Sequence, residues 1–116
     1  MRFFVVSLSL AALATPFSAS AQQRTGYSQI VSGDLKRAEQ TLVAERRVFP
    51  QSPELMLNLA AVYQQTGRLD QARSLYDMVL GQPEVMMDMS SDRIVGSHAI
   101  ARTGLGRLAD VKLSSR

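Results

Sequence analysis

Three methionines, Met86, Met87 and Met89, and the single histidine, His98, are the residues of this 116-residue chain best suited to chemistry. Thioethers are soft ligands, so the trio with His98 would suit copper(I). Methionines equally fill irregular packing space or cover a binding surface, and no second methionine cluster or paired histidine adds ligands here. His98 could act as a base with Ser97 or Asp110 near it, but a lone imidazole needs an oriented partner. Glu45 and Glu54 fall on different predicted helices and make no acid and base pair. With no cysteine, no metal-ligand spacing, no phosphate-cradling glycine loop and no nucleophile elbow, the residue set points away from an enzyme, and no cofactor or metal is expected.

The elements that must position these side chains are short helices that nearly repeat. Gly33, Leu35 and Ala38 recur 34 residues later as Gly67, Leu69 and Ala72; Leu42 is matched in size by Tyr76, and Pro50 by Pro83, one residue early. A period of that length predicts stacked helical hairpins and an all-α fold. Ser52 before Pro53 reads as a cap followed by proline in the first turn, where its missing N–H costs nothing. Gly67 can take the left-handed conformation that ends a helix. Leu69, Ala72, Tyr76 and Val79 step by three, four and three along one helical face. Helices are predicted over 35–49, 52–65, 69–80 and 97–108, with a shortened first helix over 27–32 and a loose end before it.

Within the second copy, Leu59, Ala60, Tyr63, Gly67, Ala72, Tyr76 and Pro83 follow the order and spacing of a tetratricopeptide repeat, and the chain resembles that family. Met56 stands where the family often has tryptophan and Val79 where alanine is usual. Residues 53–86 make the best-formed repeat, 27–52 a partial one, and 90–116 a degenerate third, because Thr103-Gly104 with Ala109 echoes Thr66-Gly67 with Ala72. The packing positions are Gly33, Ala38, Leu59, Ala60, Tyr63, Gly67, Ala72, Tyr76 and Pro83. Ala60 and Ala72 are small where helices cross, since larger groups would push the axes beyond about 8–10 Å.

The resemblance implies a groove for a peptide or protein segment on the inner face, lined by the first helix of each pair, and so by Leu57, Asn58, Ala61, Gln64 and Gln65. In family members that clamp a peptide carboxylate, an asparagine at the place of Asn58 bonds the peptide with help from basic residues of neighbouring repeats. Those basic residues are missing at matching positions here, so the clamp is not carried over. About three repeats are usually needed to close such a core. The ends therefore call for a cap, a foreign partner or a second copy, which leaves a self-associating structural protein as the alternative reading.

The N-terminus predicts export. Met1 and Arg2 are followed by a mostly apolar run from Phe3 to Ala14, a break at Pro16, and the small residues Ala19-Ser20-Ala21. This is the pattern of a signal peptide over 1–21, with cleavage before Gln22. Twelve helical residues span only about 18 Å, short of the ~30 Å hydrocarbon core, so a stable membrane anchor is not expected. Residues 22–116 would form one small helical-repeat domain, periplasmic or secreted in a bacterium. The net charge of +3 is too small to suggest nucleic acid. Arg46 and Arg47, the densest basic pair, end a predicted helix, where cations suit its dipole. Between Pro83 and Ser97 the helical pattern lapses; Val85–Met89 and Arg93–Val95 flank a Ser-Ser-Asp turn and suit either a small hairpin or a loop, with Ser97 capping the last helix.

Overall fold

A computed structural model of the chain describes residue 30, residues 33–89 and residues 92–114. The predicted signal peptide, 1–21, and most of the predicted first helix lie outside the described residues. Among the described residues, four helices and one small hairpin follow in order: α1 (Leu35–Val48), α2 (Pro53–Gln65), α3 (Leu69–Leu80), β1 (Met86–Asp88), β2 (Ile94–Gly96) and α4 (Ser97–Ser114).

The local signals explain the helix boundaries. Gly33, at φ +80°, turns the chain into α1, whose first turn is capped by the Asp34 carboxylate accepting from the Arg37 N–H at 3.2 Å. Ser52 caps α2 by accepting from the Leu55 N–H at 3.3 Å, with Pro53 in the first turn. Gly67, at φ +79°, ends α2, and the Arg68 N–H returns to the Tyr63 carbonyl at 2.8 Å, satisfying one carbonyl the helix end would leave bare.

Each helix buries one stripe, and the stripes meet in one core: Ala38 and Leu42 from α1, Met56, Leu59, Ala60 and Val62 from α2, Ala72, Tyr76 and Val79 from α3, Ala101 and Leu108 from α4. The α2–α3 hairpin has the most extensive contact, with α1 on one side of it and α4 on the other. Ala60 and Ala72 are fully buried, as their small size predicts for crossing points. Tyr63 is half-buried, while Gly33, Gly67 and Pro83 are exposed; the two glycines act through backbone conformation, and Pro83 follows α3 without packing in the core.

Arg68 ties α1 to the α2–α3 turn. Its two terminal nitrogens donate to the two carboxylate oxygens of Glu39, both at 2.6 Å, and its guanidinium lies 4.5 Å from the centre of the Tyr63 ring. The Arg68 hydrogen bonds hold the Glu39 carboxyl below its ordinary range; desolvation opposes this, and the Arg68 charge adds to it. A carboxylate depressed on folding stabilises above its unfolded value of about 4.3 and stops doing so as the pH falls through the folded value. Glu39→Gln is therefore expected to be slightly less stable than the parent at pH 7. Urea midpoints should converge in acid, below the folded value of Glu39; a gap that persists there would assign the loss to packing.

The last third departs from the degenerate third repeat. The segment after α3 is an antiparallel hairpin, pairing Met86 with Gly96, Met87 with Val95 and Asp88 with Ile94, turned at Asp92 with φ +57°. α4 then runs unbroken through Thr103 and Gly104, as the predicted helix over 97–108 requires, and continues past 108 to Ser114. Gly104 is a packing position: a Cβ there would lie 2.6 Å from both Cε atoms of the Tyr76 ring. Ser97 does not cap its own helix; its hydroxyl accepts from the Val85 N–H at 2.9 Å and its N–H donates to the Val85 carbonyl at 2.8 Å, pinning the hairpin to α4.

Candidate functional site

On α2, Glu54 and Gln65 are exposed and Asn58 and Ala61 half-buried. The four stand at i, i+4, i+7 and i+11, which is one helical stripe on the side away from the buried residues. Three of the five residues expected to line a peptide groove, Asn58, Ala61 and Gln65, share this stripe. Glu54 joins them unannounced; its spacing from Asn58 and Ala61 was the available signal.

The other two expected groove residues serve the fold. Leu57 is 6% exposed and belongs to the core, because one residue of rotation, about 100°, carries it from the stripe toward the neighbouring helices. It is thus buried within its own chain. Gln64 is half-buried, and its carbonyl oxygen accepts from the Tyr76 hydroxyl at 2.9 Å. Burial pushes the Tyr76 phenol above its ordinary range, and nearby Arg107 offsets this in part, so the hydroxyl remains a donor at neutral pH.

The residues with chemical potential do not assemble. Strand alternation puts Met86 on the hairpin face opposite Met87, which packs toward the core, so the three thioethers do not share one face. The His98 Nε2 lies 2.7 Å from the Gln82 carbonyl, an acceptor, which assigns the proton to that nitrogen. Gln82 in turn donates its amide to the Gln51 carbonyl at 3.2 Å, joining the two loops at this end of the helices. The Ser97 hydroxyl is held by Val85, and Asp110 is twelve residues along α4 from His98, roughly 18 Å at ~1.5 Å per residue.

Residues 29–83 match the tetratricopeptide repeat family, a span that ends just past α3 and leaves the hairpin and α4 outside it. No curated protein and no solved structure matches the chain. Such repeats are typically non-catalytic modules that bind other proteins. The glycine-ended helices, the buried alanines at their crossings and the family match agree: residues 29–83 carry a tetratricopeptide repeat, in general terms a protein–protein interaction module.

Proposed function

We propose that the chain is a non-catalytic adaptor of the bacterial cell envelope that holds a peptide or protein segment along the open stripe of α2. The observation that carries this reading is the stripe itself, four residues of one helix with Glu54 and Gln65 exposed on a buried scaffold. Carboxylate and amide groups spaced about one and two helical turns apart, at Glu54, Asn58 and Gln65, suit the backbone and side-chain donors of a bound segment. The N-terminal pattern of 1–21 supports the envelope as the place of work.

Glu54→Lys with Gln65→Lys reverses the charge of the stripe at two exposed positions, where substitutions usually change stability by less than about 0.5 kcal/mol. Cross-linked recovery of the partner from envelope extracts is expected to fall roughly tenfold, with circular dichroism and melting unchanged. Recovery equal to the parent's would remove this stripe as the site. Fractionation of cells expressing the chain with and without residues 1–21 tests the compartment; equal retention in the cytoplasm would overturn it.

A further inference from the structure

The hairpin that follows the repeat leaves one sheet edge open, and its chemistry is specific. In an antiparallel pair, bonded and non-bonded positions alternate. Ser97 donates to Val85 at 2.8 Å and Met89 to Arg93 at 2.8 Å, so 85/97 and 89/93 are bonded positions, and 86/96 and 88/94 lie between them. The backbone N–H and C=O of Met86 and Asp88 therefore point away from β2, along the outer edge of β1. Among the described residues the sheet has two strands, and β2 runs straight into α4 with Gly96 buried, so β1 carries the open edge.

One face of that edge reads acid, apolar, acid. Met86 and Asp88 are exposed on the same side of β1, Met86 at 63%, with Ile94 at 65% beside them across the register. Glu84 shares this face: a Cβ on Gly96, the residue paired with Met86, would run into the Glu84 side chain, and the glycine leaves the room that carboxylate occupies. Glu84, Met86 and Asp88 thus follow one another at the strand's two-residue spacing.

The geometry points to this edge as the acceptor for an extended segment of a partner protein that adds as a third strand. The segment reads basic, any residue, apolar, any residue, basic, so that its face residues meet Glu84, Met86 and Asp88. Main-chain hydrogen bonds from Met86 and Asp88 hold the strand, and the two carboxylates select its charges. A second copy of this chain is the wrong occupant. With Met86 paired to itself in an antiparallel register, Glu84 faces Asp88 at both ends on strands ~4.8 Å apart, and a parallel register sets each acid against itself. This surface does not rest on the α2 stripe.

The test is a titration of the ¹⁵N-labelled full chain with the peptide Thr-Lys-Thr-Val-Thr-Lys-Thr. Saturable shifts and slowed hydrogen exchange are expected at the Met86 and Asp88 amides. The glutamate counterpart of the peptide should bind at least roughly tenfold more weakly, as should a version N-methylated on its pairing edge. Asp88→Lys alone should erase the preference between the two peptides, Glu84→Lys with Asp88→Lys should reverse it, and Glu54→Lys with Gln65→Lys should leave it unchanged. Absence of saturable shifts, equal binding of the lysine and glutamate peptides, or full binding of the N-methylated peptide would each overturn the proposal. So would concentration-dependent protection of these amides in the chain alone, which would make the occupant a second copy.

Discussion

Gly104→Leu is expected to detach α4 from the repeat and lower unfolding stability by about 3 kcal/mol or more, a large share of the ~5–15 kcal/mol that holds a small domain together. The collision is specific, because a Cβ at this position already lies 2.6 Å from both Cε atoms of Tyr76. That ring has little room to retreat, being 4% exposed and anchored through its hydroxyl to Gln64 at 2.9 Å. Alanine isolates the two opposing effects. Removing a mid-helix glycine gains about 1 kcal/mol in helix propensity, and overpacking costs about 1–3 kcal/mol, so Gly104→Ala should be net destabilising by a smaller margin.

Gly106 supplies the control on the same helix. A Cβ there meets nothing within 4 Å, so Gly106→Ala should raise stability by up to about 1 kcal/mol, opposite in sign to its neighbour two residues away. Urea unfolding followed by circular dichroism gives both values. Two alanine variants shifted equally upward would mean that α4 does not close on Tyr76.

Gly104 also shows where sequence reading stops. Its place beside Thr103 imitated the Thr66-Gly67 turn, and a glycine is small in either role. The difference between a turn and a close approach lay in what packs on it, and Tyr76 is far away in sequence. Local chemistry was legible where the cause was local: Ser52 with Pro53 opens α2 and Gly67 closes it because caps and left-handed turns are decided within a few residues. The Glu39–Arg68 pair, 29 residues apart, left no such trace. The hairpin remained undecided between strand and loop because its strands are three residues long and their pairing to Ser97 depends on the helix that follows.

The candidate site divides in the same manner. A family's groove positions carry over as places on a helix, and helical rotation then decides which of them face outward. Leu57 and Asn58 are adjacent in sequence and differ in surroundings, one buried and the other half-buried beside exposed Glu54 and Gln65. The resemblance alone gave both to the partner.

Leu57→Lys is accordingly expected to unfold the domain rather than weaken a binding face. Leu57 is 6% exposed, so the substitution loses most of the transfer free energy of a buried leucine and must bring an ammonium into, or out past, a close-packed core. Truncation of such a leucine already costs about 2–5 kcal/mol, and the charge adds to it. A lysine stem can bend toward solvent and recover part of the loss, which predicts that Leu57→Asp is worse than Leu57→Lys. Glu54→Lys with Gln65→Lys should retain the parent's urea midpoint while losing partner recovery; Leu57→Lys should lose both together, with recovery tracking the folded fraction. If Leu57→Lys kept its helicity and midpoint and lost the partner alone, Leu57 would belong to the binding surface, and the separation of α2 into a buried stripe and an open one would be wrong.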